Sequence, residues 1–344
     1  MSGSRLREET LETPAVISAQ LARDGERYLD FGQWLREAPP RGVLTLARGS
    51  SDHAAHYAAY LVMARLGRLV TSLPMSLLTL YGANLDSDGL LALAFSQSGQ
   101  SPDLVEPMRM LAARGALTAA FVNDTASPLA QAARWVFALH AGEERSIAAT
   151  KSFVAQLVAG ARWVAAWQGD GRLATAIDAL PHALEAARAH GQAWCDAALP
   201  VLQDADRLYV VGRGTGLAVA LEAALKLKEV CGLQAEAVSG AELMHGPLAL
   251  IEPGYPVLVF APRGPAHEGL VALAGELRTR GARVLLAAPS GTPDAELPLA
   301  TTAEPDLDPI AAILPCYAMV EALARARGRD PDAPPHLTKV TRTR

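Results

Sequence analysis

Gly49 and Gly214 stand 165 residues apart, and three further pairs keep that offset: Gly67 with Gly232, Phe95 with Phe260, and Gly99 with Gly264. LARGSS (46–51) lies over VGRGTG (211–216), and LALAFSQSGQ (91–100) over PVLVFAPRGP (256–265). GALTAAFV (115–122) matches GARVLLAA (281–288) after a one-residue slip. Anchors at one spacing, spread over strands, turns and helix ends, identify a duplicated unit whose join falls near 170–205.

Within the first copy, GVLTLA (42–47), LVTSL (69–73), LLALAF (90–95), LTAAFV (117–122) and WVFAL (135–139) are short apolar runs of strand length. Helical periodicity covers about 13–36, 52–66, 102–115, 150–167 and 175–199, with Thr13 and Pro14 as N-cap and first-turn proline of the earliest helix. RLYVVGRGTG (207–216) restarts the pattern. Such alternation predicts an α/β fold of two tandem domains, each a mostly parallel, doubly wound, flavodoxin-like sheet flanked by helices. The divisions expected are an N-terminal helical segment (1–40), a first domain (41–170), a helical linker (171–205), a second domain (206–330) and a tail (331–344).

Half of the 344 residues are hydrophobic, which excludes disorder. A net charge of −5 without a dense basic stripe argues against a nucleic-acid partner. Cys195, Cys231 and Cys316 form neither a CxxC nor a disulfide framework and are expected as buried thiols. The polar start MSGSRLREETLE is unlike a signal peptide. No uninterrupted apolar run reaches about 18 residues, so no membrane span is expected. The expected location is the cytoplasm.

The copies differ where strands end. Ser96, Gln97, Ser98 and Ser101 correspond to Ala261, Pro262, Arg263 and Ala266, whereas Lys226, Glu229 and His245 correspond to Leu61, Ala64 and Leu80. In open α/β sheets, ligands bind at the carboxyl ends of the strands. SQSGQS combines hydroxyl donors, a glycine for close backbone approach and the N–H groups of a following helix, which suits a phosphate. A turn ending in a serine N-cap has the same composition. Ser50 and Ser51 repeat the design after the first strand. Neither a Walker A nor a dinucleotide fingerprint is present.

Glu222, Lys226 and Glu229 share one helix face at i, i+4 and i+3 spacings, as an exposed ion pair also would. His245, in AELMHGPLALI, suits either a packed histidine or the partner of a carboxylate in moving protons. Lys339 lies in the extended, proline-bearing tail DAPPHLTKVTRTR, either solvated or as an amine able to exchange imines.

GSS, SQSGQS, IAATKSF, LEAALKLKEV, AELMHGPLALI and the tail DxDxPxxLxK run in the order found in the sugar isomerase (SIS) family. From about residue 40 onward the chain resembles the isomerase half of glucosamine-6-phosphate synthases. Its ending resembles the stand-alone SIS-type glucosamine-6-phosphate deaminases. The resemblance implies phosphate contacts at Ser51, Ser96, Gln97, Ser98 and Ser101, with Ser50 beside them. It makes Glu229 the base that shuttles a proton between C1 and C2, and His245 the ring-opening histidine contributed across a homodimer interface. Lys339 becomes the lysine over the open-chain sugar, and Lys226 a substrate-binding lysine of the same site. Ala149 stands where the synthases carry a serine near the sugar. Neither metal nor cofactor is implied.

Ser2 after Met1, and only about 40 residues before the first strand, lead to the expectation that the glutaminase domain of the synthases is missing. The expected reaction is then glucosamine 6-phosphate plus water giving fructose 6-phosphate plus ammonia. Alternatives are deamination of another hexosamine phosphate, aldose–ketose isomerisation, deglycation of fructosamine phosphates, and non-catalytic sensing of a sugar phosphate.

Overall fold

The computed structural model describes residues 3–339. Residues 340–344, part of the tail singled out above, lie outside the described residues. The chain divides into two compact units. Of the described residues, the first-repeat unit holds 15–144, 151–178 and 338–339, and the second-repeat unit holds 3–14, 145–150 and 179–337.

In chain order the elements begin with α1 (Arg5–Leu21) and α2 (Gly25–Glu37). The first repeat follows as β1 (Val43–Leu46), α3 (Ser50–Leu66), β2 (Val70–Ser72), α4 (Ser76–Thr79), β3 (Leu91–Ser96), α5 (Pro102–Ala112), β4 (Leu117–Val122), α6 (Pro128–Gln131), β5 (Trp135–Ala138), α7 (Lys151–Gln168) and α8 (Gly171–Asp178). Its strands are all parallel, in the order β2-β1-β3-β4-β5. β3 is buried at every position, as a central parallel strand covered on both faces must be. One face packs Leu46, Ala92, Ala94, Met108 and Leu111. On the other, Phe95, Phe121 and Phe137 stack at 4.8 and 5.0 Å, flanked by Tyr28, Phe31 and Trp163. Each such ring contributes roughly 1.5–3 kcal/mol through burial.

The second repeat comprises α9 (Leu180–Ala189), α10 (Gly191–Leu202), β6 (Arg207–Gly212), α11 (Gly216–Cys231), β7 (Gln234–Ser239), α12 (Gly240–Leu243), β8 (Pro256–Phe260), α13 (His267–Thr279), β9 (Arg283–Pro289), β10 (Leu297–Leu299) and α14 (Asp308–Ala326). Its order, β10-β9-β8-β6-β7, is again parallel and is the first sheet's order read backwards from the other edge. Both are the flavodoxin-like 2-1-3-4-5 arrangement. The repeat also survives in backbone geometry. Gly67 and Gly232 are left-handed C-caps of α3 and α11, with φ of 62° and 58°.

Two expectations change. The first helix begins at Arg5, not Thr13, and carries Pro14 inside it. Its N-terminal N–H groups are taken by Ser4 Oγ, which accepts from Arg7, and by Asp332, which accepts from Arg5 and Leu6. A partner more than 300 residues away is invisible to local pattern. The helix expected over 175–199 is three: Pro181 lies in the first turn of α9, and Gly191 opens α10. Residues 305–326 pass the length and composition test for crossing a membrane, with 89 % of their most apolar 18-residue window buried inside the protein, as in a core helix. Its apolarity answers burial on all sides in the second-repeat unit.

The thiols are free, with Cys231 and Cys316 buried and Cys195 partly so. Burial pushes Cys231 up to about 12 and holds it as a thiol.

Candidate functional site

In the first-repeat unit the two serine loops follow β1 and β3, which are hydrogen-bonded neighbours. Both therefore sit at carboxyl ends of adjacent central strands. Gly49, with φ 54° and ψ −134°, opens α3 without any side-chain cap, leaving the helix start at Ser50 and Ser51 with unclaimed N–H groups. Ser96 Oγ accepts from Gly99 N at 3.0 Å, and Ser98 Oγ from Gln100 N at 3.3 Å. Each hydroxyl is thus aimed by the backbone and still has its O–H to donate. Asn123 N donates to Gln97 O at 3.2 Å, tying the loop to the end of β4.

Ser101 occupies the N-cap position of α5, yet its hydroxyl makes no cap bond. The capping serine is Ser127, which accepts from Ala130 N at the start of α6. Gly99 has φ 63°, and a Cβ there would lie 2.2 Å from Ser127 Oγ. The loop conformation requires glycine on both counts.

Arg48 spans the two loops, donating to the buried Asp103 in the first turn of α5 at 3.3 Å. In the first turn of α3, burial raises Asp52, opposed by His53, His56 and Arg48. Burial likewise lowers His56, opposed by Asp52.

Lys339 donates to Glu144 Oε2 at 2.9 Å. The Glu144 side chain is 0 % exposed and also accepts from Ser152 N (3.1 Å) and Ser152 Oγ (2.6 Å) at the start of α7. Asn123 braces the segment leading to it, donating to Gly142 O and accepting from Ala141 N. Glu144 and Asn123 escaped the sequence reading. Neither forms a motif with its neighbours; the one faint signal is that Glu144 stands eight residues ahead of Ser152, just before a helix.

In the second-repeat unit, α11 follows β6 and carries Glu222, Lys226 and Glu229 on one face. Lys226 Nζ lies 2.5 Å from Glu229 Oε2 and 3.5 Å from Glu222 Oε1. Lys226 is 1 % and Glu222 0 % exposed, whereas Glu229 is 23 % exposed. This is no surface ion pair. The Lys226 ammonium is buried between two carboxylates, and Glu229 is the member that reaches solvent. Tyr317 on α14 donates to Glu222 at 3.5 Å.

His245 is exposed, two residues past the end of α12 and directly before Gly246, so it is not a packed core histidine. Met244 and Leu250 beside it are 44 % and 58 % exposed. Ala149 is half-buried in the segment 145–150, which Glu9 of α1 holds by accepting from the backbone N–H groups of Arg145 and Ser146 and from Ser146 Oγ.

The strand end of this unit that corresponds to the SQSGQS loop is filled internally. Arg263, in the place of Ser98, forms a fork on Asp308 (2.7 and 2.8 Å) and donates to Thr302 O at 2.6 Å. This explains why the second copy lacks the hydroxyls: its strand end has an internal carboxylate partner.

The described residues thus bring Ser96, Gln97, Ser98 and Ser101 into one turn, Ser50 and Ser51 onto the neighbouring strand end, and Lys226 and Glu229 into contact.

A duplicated flavodoxin-like sheet with hydroxyl-lined strand ends in one copy and a buried acid–base helix in the other defines the class. The SIS domain signature matches residues 38–165 and again 201–325, and the chain belongs to the SIS domain family. It is 32 % identical over 351 aligned positions to a glutamine–fructose-6-phosphate aminotransferase (isomerizing) of Thermus thermophilus, covering 96 % of this chain and 57 % of that protein. The chain therefore spans little more than half the length of this curated relative. A crystal structure from Silicibacter pomeroyi, described as a "putative phosphosugar isomerase", is 40 % identical, with a TM-score of 0.89 over 96 % of this chain and 100 % of that one. The glucosamine-6-phosphate deaminase of Thermotoga maritima shares the fold at 24 % identity, with a TM-score of 0.75 over 97 % of this chain and 100 % of that one.

Proposed function

We propose that this chain is a phosphosugar isomerase of the SIS type whose reaction is deamination of glucosamine 6-phosphate to fructose 6-phosphate and ammonia. The observation that carries the isomerase chemistry is Glu229, a carboxylate open to solvent whose position is fixed by a buried lysine. Proton transfer between adjacent carbons needs such a group, and a positioned one supplies about 10²–10⁴-fold.

The backbone-aimed hydroxyls of the Ser96–Ser101 turn, with Ser50 and Ser51, hold the phosphate, and anchoring that end organises the reacting end. His245 assists ring opening by proton transfer between ring oxygen and O1. Glu229 takes the C2 proton of the open-chain amino-aldose and returns it to C1, leaving an imine at C2. Water adds to C2 and ammonia departs, so the sum is glucosamine 6-phosphate plus water to fructose 6-phosphate plus ammonia. Support for deamination comes from the resemblance of the ending around Lys339 to SIS-type deaminases. The protein acts as a cytoplasmic homodimer in which His245 serves the partner's site.

The test is incubation with glucosamine 6-phosphate, following ammonia and fructose 6-phosphate together. Stoichiometric release of both is expected. The names of the relatives favour a second reading, aldose–ketose isomerisation alone, which would appear as interconversion of phosphosugars without ammonia. Binding without conversion of any hexosamine or hexose phosphate would leave a sensor and overturn both.

A further inference from the structure

The Glu144 carboxylate is buried and bonded to the start of α7. Ser152 is the second residue of α7, so its N–H is one of the helix-start donors without an intrahelical partner, and its bond to Glu144 Oε1 satisfies that donor. Ser152 Oγ binds the other oxygen. A helix N-terminus favours a negative charge, which offsets part of the cost of burying one. The other repeat also places a buried carboxylate at a helix start. Asp308, the first residue of α14, is buried and holds the guanidinium of Arg263. In each copy, a buried carboxylate beside a helix start receives a cation. In the second copy the cation comes from the neighbouring strand end; in the first it comes from the chain's tail, 195 residues from Glu144.

We infer that Glu144 is a positioning residue: a dock, fixed by α7, on which the tail presents the Lys339 amine. The inference rests on the reading of Lys339 as an active-site amine. Lys339 is 26 % exposed at its side chain, so the dock holds the amine at the surface of the unit and leaves part of it accessible. Ser152 and Glu144 have no counterparts in the second copy, where Tyr317 and Pro309 stand at those offsets.

Trace acetylation of the whole protein with acetic anhydride, read by mass spectrometry, reports the dock directly. The chain has four lysines, and the exposed Lys228 is an internal reference. Glu144→Gln should raise the labelling of Lys339 relative to Lys228 several-fold. Glu144→Asp, which keeps the charge, should restore part of the protection. In the ammonia assay Glu144→Gln should lower kcat by at least about tenfold with KM changed far less. Because Glu144 is buried, Lys339→Gln at the accessible end supplies a second arm. The double variant should lose no more activity than the worse single variant, as coupled residues do. Unchanged Lys339 labelling in Glu144→Gln, or additive losses in the double variant, would overturn the inference. If the wild type releases no ammonia, the proposed reaction falls, and the labelling comparison still decides whether Glu144 docks Lys339.

Discussion

Lys226 and Glu229 meet at 2.5 Å on one face of α11, with the lysine buried and the glutamate partly open to solvent. Glu222 lies on the lysine's other side at 3.5 Å. The helix thus buries a cation between two carboxylates and exposes one of them, which fixes the direction in which Glu229 can act.

Glu229→Gln keeps the shape and an acceptor oxygen but removes the base. Ammonia release from glucosamine 6-phosphate should fall by at least about 10²-fold, while calorimetric affinity for the sugar phosphate changes little. Near-wild-type turnover would remove Glu229 from the proton-transfer role.

Lys226→Met removes the buried ammonium that lies between Glu222 and Glu229. Breaking such a pair from one side costs about 3–5 kcal/mol, which urea unfolding would read. The double variant Glu222→Gln/Lys226→Met should recover part of that loss. Equal stability of the single and double variants would mean that Glu222 does not depend on Lys226.

Gly99→Ala places a Cβ against Ser127 Oγ at a φ that favours glycine. The strain is about 1–3 kcal/mol, and the turn that aims Ser96 and Ser98 must shift. KM for the sugar phosphate should rise several-fold, with a smaller change in kcat. A lowered kcat at constant KM would argue that this loop does not hold the phosphate.

Serving the partner's site with His245 predicts complementation. Mixing inactive His245→Ala and Glu229→Gln chains, with exchange of subunits, should restore about a quarter of wild-type sites, because half the dimers are hybrid and each has one complete site. No recovery after demonstrated exchange would place His245 and Glu229 in the same subunit's site.

Burial lowers His56 below its ordinary 6.5, and its Nε2 is buried without a hydrogen-bond partner. The unfolded chain then takes up a proton near 6.5 that the folded protein resists. His56 contributes its full stability above that pH and loses it as the pH falls. Asp52, raised by burial and opposed by His56 itself, works with the opposite sign. Wild type should therefore lose stability relative to His56→Phe between pH 7.5 and 5.5 in urea unfolding. Parallel curves would show that His56 is not buried as described.

Much of the fold was legible because its signals are local or periodic. β4 falls at 117–122 as expected, and α3, α5 and α7 fall within a few residues of their expected spans. The offset of 165 reappears as two sheets of identical strand order. The serine turn at 96–101 and the spacing of Lys226 and Glu229 could be read for the same reason: each lies within one turn or one helix.

What the sequence alone determined was therefore the class of fold, the duplication, and which strand ends and helix face carry polar groups. Only tertiary structure decided what those groups do to one another. It buried Lys226 instead of exposing it, set the start of α1 with Asp332, filled the second copy's strand end with Arg263 and Asp308, and brought Lys339 to Glu144. Hydrophobic periodicity depends on neighbours three or four residues away, whereas a buried charge is stable only beside its partner. That partner can stand anywhere in the chain.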